Sequence, residues 1–405
     1  MNPDHYSYID DSPPEAGGDG TLRRTSCSIQ PNMSVRGWPT EAGSKALEGF
    51  CALEDATVIE RLRTAGATIR GSTRMSELGF GLAGDTSARV ISGGDVDIAL
   101  MTDTMGEARV AASEAGAFGF KPSYGLVSRS GLIGLVPSME CHGMVARNPE
   151  DIGTVMAVIS GCDDHDLSMP EYRVPDFSHS DGSEQSPVVL GAIDQCADTL
   201  EPDAMAAFNG TLSKLQEAGM TVRTCSLPDF TLFGTVHNII GSVEASSSAG
   251  KYDGVRYGHR ARSAKNWNEM YLKTRAESFG VLLKTYLFQG AYFQFQDYGA
   301  FEDACRIRAR LVRHTEALFS EADFLVLPTK PPHLTGVDTS TTDEVYDLFS
   351  LSLAANVTGL PAIHIPGSVL QDGAGMGLQL IGPRLGDARL LSAAATISHM
   401  TGGGK

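Results

Sequence analysis

The chain has 405 residues, of which 42% are hydrophobic and 20% are charged, and its formal net charge is −17. This composition is typical of a globular protein with a large core, and the acidic balance disfavours direct nucleic-acid binding, because phosphate contacts need clustered Lys and Arg. The sequence contains no apolar run of 18 residues and no signal sequence, so we expect no contact with a membrane and no secretion.

The seven cysteines are scattered along the chain and form no Cys-x-x-Cys pair. An odd number of dispersed thiols is typical of an intracellular protein with reduced cysteines, so we expect a cytoplasmic location or an organelle matrix. We expect no metal site and no cofactor.

Two boundaries are predicted from composition. Residues 1–28, rich in Asp, Pro, Gly and Ser, are expected to form a mobile arm. Residues 29–400 are expected to form a single domain, with a surface loop at 176–186 and a frayed tail at 401–405.

Amphipathic helices alternate with apolar strands through this predicted domain. Helices are expected in "EDATVIERLRTAGATIR", where Asp55 is a candidate N-cap, in "RNPEDIGTVMAVISG", capped by Asn148, and in "EPDAMAAFNGTLSKLQEAG". Strands are expected in "SPVVLGAID", "MTVRTCSL" and "ADFLVLPT". A largely helical segment is expected at about 230–318. The alternation predicts an α/β fold with a central mixed β-sheet covered by helices on both faces.

Several long motifs carry a family resemblance. The stretch "MTDTMGEARVAASEAGAFGFKPSYG" at 101–125 resembles the signature of the amidase-signature family. The later "KYDGVRYGHR", "MYLKTRAESFG" and "NVTGLPAIHIPG" resemble one branch of that family, the A-type subunits of glutamyl-tRNA(Gln) amidotransferases. The likeness runs from about residue 29 to about residue 395, and it implies the amidase-signature fold.

The resemblance also implies a mechanism. Family members attack an amide with a serine, relay its proton through a second serine and use a lysine as the base, while backbone N–H groups of a glycine loop receive the oxyanion. In the amidotransferase, ammonia released from glutamine passes to the B-type subunit. Residue by residue, the nucleophile falls on Glu107, the relay serine on Ala83 and the lysine on Gln30. The oxyanion loop corresponds to Thr104, Met105 and Gly106.

Glu107 has two interpretations. It fills a lost active site as an anion held by backbone N–H groups, with a depressed pKa, or it is a repurposed catalytic carboxylate. Gln30 cannot accept a proton as a neutral lysine can, and Ala83 has no hydroxyl group. Ser87 or Ser92 replaces the relay serine only if the alignment slips.

Residues around the signature loop have structural interpretations. Asp103 and Arg109 are expected to brace the loop as an ion pair. Met105 stands where the family has glycine, so it is strained if that position requires a positive φ. Lys121 belongs to the frame of the motif and is not the missing base.

Three residues are candidates for binding a small amino-acid or amide ligand. Arg310 matches an arginine that clamps the carboxylate of glutamine, and the alternative is a solvated charge on a helix. Asp347 matches an acidic residue that reads the amino group of the substrate. Tyr257 is a candidate contact or a wall of the site.

The sequence therefore favours a protein that is similar to the A-type subunits of amidotransferases and is catalytically inactive. Its expected role is that of a structural or regulatory partner in an amidotransferase-like complex, with subunits B and C as candidate partners. The alternative is an active amidase or glutaminase, or an enzyme with a new reaction that uses Glu107.

Overall fold

One mixed sheet of eleven strands organises the computed structural model, which describes residues 1–12, 20–179, 188–335, 339–367 and 376–401. The strands run in the spatial order β1-β3-β2-β4-β6-β5-β10-β11-β9-β7-β8. They are β1 (Tyr6–Ile9), β2 (Ser26–Ile29), β3 (Thr68–Thr73), β4 (Ile98–Asp103), β5 (Phe118–Lys121), β6 (Cys141–Ala146), β7 (Val189–Ile193), β8 (Thr221–Cys225), β9 (Phe324–Pro328), β10 (Ala362–Ile365) and β11 (Leu378–Ile381).

Parallel and antiparallel pairs both occur in the sheet. Strand β2 pairs in parallel with β3 and β4, and β7 pairs in parallel with β8 and β9. The centre, from β4 through β6, β5, β10 and β11 to β9, is antiparallel. The predicted mixed sheet is confirmed.

Helices surround this sheet. They are α1 (Thr57–Thr64), α2 (Arg89–Ser92), α3 (Glu107–Ala115), α4 (Pro149–Ile159), α5 (Pro202–Glu217), α6 (Leu232–Ser248), α7 (Trp267–Ser278), α8 (Val281–Phe295), α9 (Tyr298–Leu318), α10 (Thr342–Phe349), α11 (Leu353–Thr358) and α12 (Asp387–Thr401). Helices α6 to α9 lie within the segment 230–318, where α6 packs against both α8 and α9.

Local sequence signals explain two helix starts. Asn148 caps α4, since its side chain accepts a hydrogen bond from the backbone N–H of Asp151 at 2.8 Å. Helix α1 begins at Thr57, two residues after the cap that the sequence suggested. Asp55 does not cap it, because its carboxylate accepts a hydrogen bond from the backbone of Arg36 and pairs with Arg63.

The segment that was expected to be a mobile arm contributes two strands to the sheet. Strand β1 pairs antiparallel with β3, and Tyr6, Leu22 and Cys27 are buried. The short apolar stretches "YSYI" and "SCSI" flank the polar run and supply strands to the sheet, which an average composition over 1–28 conceals. Residues 13–19, most of the predicted loop at 176–186, and residues 402–405 of the tail lie outside the described residues.

Candidate active site

Glu107 is the first residue of α3 and follows the loop at the end of β4. Its Oε2 atom accepts hydrogen bonds from the backbone N–H groups of Thr104, Met105 and Gly106, at 2.6, 2.8 and 3.1 Å. Three convergent donors at a helix N-terminus form the kind of site in which acyl-transfer enzymes stabilise an oxyanion. The side chain is buried, so an oxygen atom of the chain itself occupies this site.

The environment of Glu107 favours its neutral form. Burial, with the nearby charge of Asp103, raises the pKa of Glu107 to about 8, although the backbone hydrogen bonds act in the opposite direction. The expected depressed pKa is therefore wrong, because removal of water outweighs the backbone donors. A neutral carboxyl group places a carbonyl-like oxygen among the backbone N–H groups of Thr104, Met105 and Gly106, which together form the nest. Its Oε1 atom is buried and has no hydrogen-bond partner among the described residues.

Asp103 and Arg109 form the expected ion pair beneath the loop. The Oδ1 atom of Asp103 lies 2.9 Å from Nη2 of Arg109, and both side chains are fully buried. Arg109 also donates to the backbone carbonyl of Ser352 and to the side-chain oxygens of Asn356 and Gln379. These bonds fix the start of α3 to α11 and β11, which supports a structural role for the pair.

Glycine is required beside Met105 rather than at it. Gly106 has φ = 129°, and a Cβ atom there would lie 2.2 Å from Oγ of Ser352. Met105 is buried and is not among the described non-glycine residues with positive φ. The conditional expectation of strain at Met105 therefore does not apply. Ser352 donates to the carbonyl of Met105 at 2.7 Å and so fixes the loop from the other side.

Gln30 is bound at both ends of its amide. Its Nε2 donates to Oδ2 of Asp85 at 2.6 Å, and its Oε1 accepts from the backbone N–H of Thr102 at 2.8 Å. Thr102 lies two residues before Thr104, so Gln30 borders the loop that holds Glu107. Burial raises the pKa of Asp85 to about 6, against hydrogen bonds from Ser87 and Gln30. Gln30 offers no basic atom here, and its amide is part of a fixed network.

The segment that should supply a relay serine offers no free hydroxyl group. Ala83 lies in a turn between β3 and α2. The Oγ atom of Ser87 lies 3.1 Å from Oγ1 of Thr73, and Ser92 is exposed and donates to the carbonyl of Arg89. Neither serine hydrogen-bonds to Glu107.

A buried hydrogen-bond chain that the sequence analysis missed supports the loop from α6. His237 Nε2 lies 3.0 Å from the carbonyl oxygen of Thr104, and its Nδ1 lies 2.9 Å from the Tyr346 hydroxyl, which is 3.0 Å from that of Tyr286. A carbonyl only accepts, so Nε2 carries the proton, Tyr346 donates to Nδ1, and Tyr286 donates to Tyr346. Burial lowers the pKa of His237 to about 4, which keeps the ring neutral. Only tertiary packing brings α6, α8 and α10 together, so no local sequence motif predicts these hydrogen bonds.

Two of the four arginines of α9, Arg308 and Arg310, have opposite surroundings. Arg310 forms an ion pair with Asp229 at 3.1 Å, and its side chain is 43% exposed, as in the solvated-charge alternative. Arg308 turns inward and donates to the carbonyl of Val357 at 2.9 Å and to the hydroxyl and carbonyl of Ser138. The inward-facing arginine is thus two residues from the one that the sequence match selected.

Among the described residues, the other two candidate ligand contacts, Asp347 and Tyr257, make no hydrogen bond to the loop around Glu107. Asp347 is exposed on α10, whereas its neighbour Tyr346 reaches His237. Tyr257 is half-buried and packs edge-on against Phe50, with ring centroids 5.5 Å apart.

Lys121, the last residue of β5, is buried. Its ammonium group donates to the carbonyl of Pro122 at 2.8 Å, and burial lowers its pKa. Among the described residues no cluster of His, Cys, Asp and Glu could hold a metal ion. No helix in the described parts of the chain has the length and apolar character needed to cross a membrane.

Comparisons with known proteins agree with this architecture. The Amidase family model matches residues 26–89 and 86–391. The A-type subunit of glutamyl-tRNA(Gln) amidotransferase from Haloarcula marismortui is 32% identical over 428 aligned positions, covering 98% of this chain and all of that protein.

Solved structures resemble the fold at lower identity. The A-type subunit of glutamyl-tRNA(Gln) amidotransferase from Thermotoga maritima has a TM-score of 0.78 at 23% identity, covering 96% of this chain and 85% of that one. The peptide amidase from Stenotrophomonas maltophilia has a TM-score of 0.76 at 22% identity, covering 94% and 83%. The chain belongs to the Amidase family.

Proposed function

We propose that this protein is a catalytically silent amidase-fold subunit that acts as a structural or regulatory partner in an amidotransferase-like complex. The observation that carries the proposal is the position of Glu107. Its Oε2 takes the three backbone N–H groups of Thr104, Met105 and Gly106 that would otherwise face the oxygen of a substrate.

The other two triad positions support the same conclusion. Gln30 is held by Asp85 and Thr102 and has no basic nitrogen, and Ala83 has no hydroxyl group. A serine nucleophile needs a neighbouring base and an oxyanion site at the same time. Here the nucleophile, relay and base positions hold other residues, while the Asp103–Arg109 brace that shapes the loop is intact.

The partner role rests on what the chain resembles. The curated relatives bear the name of one subunit of an amidotransferase, which implies companion subunits. Our candidates are proteins like the B-type and C-type subunits, in the cytoplasm or an organelle matrix, with a small amino acid or amide as a candidate ligand. Arg256, in the motif shared with the A-type subunits, is exposed and forms no ion pair among the described residues, so it is available for docking.

Two measurements on the same preparation test this proposal. Affinity capture of the tagged full chain from its native cells, followed by mass spectrometry, should recover proteins like the B-type and C-type subunits. The purified protein should hydrolyse glutamine and simple amides no faster than buffer. Absence of such subunits, together with turnover by the pure protein, would reject the proposal.

One observation favours a second candidate function, an enzyme that uses Glu107 as an acid or base. A carboxyl group whose pKa is raised to about 8 can exchange a proton near neutral pH. The discriminating variant is Glu107→Gln, which keeps the oxygen in the nest and removes the titrating group. Wild-type turnover that disappears in this variant would favour the enzyme.

A further inference from the structure

Helix α8 carries an apolar stripe on its solvent-facing side. Val281, Phe288, Tyr292 and Phe295 are 80, 74, 55 and 74% exposed. With Thr285, which is also exposed, they follow the spacing i, i+4, i+7, i+11 and i+14. This spacing places all five side chains on one face, along about 21 Å of helix axis, as in the seam of a coiled coil.

Exposed aromatic side chains concentrate around this stripe. Among the described residues, thirteen large hydrophobic side chains are exposed, and the five aromatic ones all lie between residues 267 and 298. Lys284 is the single charged residue in α8. Its ammonium group donates to the backbone carbonyl of Ala276, near the end of α7. A surface of aromatic side chains without charge is typical of the centre of a protein interface.

The opposite face of α8 is fixed to the protein. Leu283, Tyr286 and Leu287 are buried, and α8 approaches α6 so closely that a Cβ atom at Gly290 would lie 1.8 Å from the carbonyl oxygen of Ser242. The stripe is therefore presented on a rigid platform, and a partner would not need to order it on binding.

We propose that the stripe is covered by the same stripe of a second copy, in an antiparallel pair of α8 helices related by a two-fold axis through Phe288. Positions 281 and 295 are each seven residues from 288, so the axis brings Val281 of one copy against Phe295 of the other. The N-terminal half carries the small side chains, Val281 and Thr285, and the C-terminal half carries the large ones, Tyr292 and Phe295. Antiparallel pairing places the small half of each helix against the large half of the other, with Phe288 against Phe288 at the axis.

The area supports self-association. An aromatic side chain offers roughly 200 Å², so the exposed parts of these side chains amount to at most about 500 Å² per copy, or ~1,000 Å² per pair when they are wholly covered. That is about the lower bound for a specific interface. The net charge of −17 opposes pairing only weakly at physiological salt, because charges more than about 8 Å apart are screened.

Phe288→Asp tests the interface, since it places two like charges at the axis. Light scattering with size-exclusion chromatography of the full chain, over a roughly hundredfold concentration range, should show a dimer for the wild type and a monomer for Phe288→Asp. Leu167→Asp is the matched control. Leu167 is an exposed leucine far from α8 in sequence, and its variant should remain dimeric. Circular dichroism should show both variants folded, because both side chains are exposed.

Mixing two variants of opposite charge tests whether a second copy of the protein covers the stripe. Phe288→Lys should also be monomeric, but mixing it with Phe288→Asp should restore a dimer, since position 288 faces itself only across a two-fold axis. A monomeric wild type, a dimer that Phe288→Asp leaves intact, or failure of the mixture to associate would overturn the proposal. A mixture of the two variants that forms a complex with the mass of the wild-type dimer supports the proposal.

Discussion

Gln30 holds Asp85 by a hydrogen bond of 2.6 Å at the position where the sequence resemblance calls for a lysine base. This neighbour limits any attempt to rebuild the triad. In the triple variant Gln30→Lys, Ala83→Ser, Glu107→Ser, the new lysine would lie against a carboxylate and would remain protonated. We expect ammonia release from glutamine to stay close to the buffer rate.

A fourth change, Asp85→Asn, removes that carboxylate and should raise the rate of the triple variant. An ammonia-release assay across pH 6 to about 9 distinguishes the triple from the quadruple variant, because a lysine freed from an ion pair deprotonates at lower pH. Full activity in the triple variant, or a lower rate on adding Asp85→Asn, would contradict this role of Asp85.

Glu107 should make the protein less stable at alkaline pH. Its pKa is about 8 in the folded chain, above its ordinary value, so the unfolded chain loses the proton first as the pH rises. The stability that the neutral group contributes is complete below about pH 4.5 and is lost as the pH rises to about 8, with a slope approaching ~1.4 kcal/mol per pH unit. Urea denaturation of the wild type and Glu107→Gln at several pH values measures this difference.

Glu107→Gln should gain stability over the wild type as the pH rises, since an amide also offers an oxygen to the three N–H groups but never ionises. An exposed carboxylate provides the control, and Asp347→Asn should give a curve parallel to that of the wild type. A constant difference between the wild type and Glu107→Gln from about pH 5 to about 8 would show that Glu107 is ionised throughout.

Buried histidines should set the acid limit of stability. Burial lowers the pKa of His142 and of His237 to about 4 and that of His364 to about 3. Because these values lie below the ordinary value, the unfolded chain binds protons first, and stability that is complete above about pH 6.5 is lost as the pH falls towards 4. His237→Gln, which can still bridge Thr104 and Tyr346, should flatten this loss. His399→Gln, at an exposed position of α12, is the surface control, and equal acid sensitivity of His237→Gln and His399→Gln would reject the assignment.

The shared motif around residue 256 allows a separate test of docking. Arg256 is exposed, so Arg256→Ala should weaken capture of partner subunits with a change in unfolding free energy within about 0.5 kcal/mol. Tyr257→Ala is expected to cost ~1–2 kcal/mol, because Tyr257 packs against the rings of Phe50 and Tyr252. Partner capture that survives Arg256→Ala unchanged would remove this motif from the interface.

Periodic patterns predicted the strands β7, β8 and β9 of the eleven-stranded sheet and the helices α1, α4 and α5. The strand β9 and the helix α4 follow from short apolar runs and from an Asn-Pro start, which are local signals. The two strands that lie largely within residues 1–28 were not predicted, and this has a physical reason. Strand β1 has only four residues, and its position at the edge of the sheet depends on pairing with β3, which no local pattern encodes.

The site was predictable where one loop builds it and not where distant elements meet. The nest around Glu107 consists of backbone N–H groups from consecutive residues, so the motif located it. The pKa of Glu107 was predicted in the wrong direction because burial comes from the whole fold. His237 and Arg308 were missed because their partners are more than a hundred residues away or lie on other elements.

The last prediction concerns Arg308 and Arg310, two of the four arginines of α9. Arg308→Ala removes hydrogen bonds to the carbonyls of Val357 and Ser138, which would then be left without this partner in a partly buried place. We expect a loss of ~2–4 kcal/mol in unfolding free energy. Arg310→Ala removes an ion pair between two partly exposed side chains, Arg310 and Asp229, and should cost about 0–1 kcal/mol. Urea denaturation measures both, with Arg313→Ala as a neighbouring control.

The same variants test the clamp that the sequence match assigned to Arg310. If Arg310 holds the carboxylate of a bound amino acid, glutamine should raise the melting temperature of the wild type and of Arg313→Ala but not that of Arg310→Ala. If Arg308 has that role, a binding assay at a temperature where Arg308→Ala is folded should find glutamine binding lost in Arg308→Ala and retained in Arg310→Ala.

Equal losses of unfolding free energy in Arg308→Ala and Arg310→Ala would contradict the opposite surroundings described for the two side chains. We expect the split in stability, because loss of the Arg308 guanidinium leaves partly buried carbonyls without this donor, whereas the ion pair of Arg310 is partly exposed.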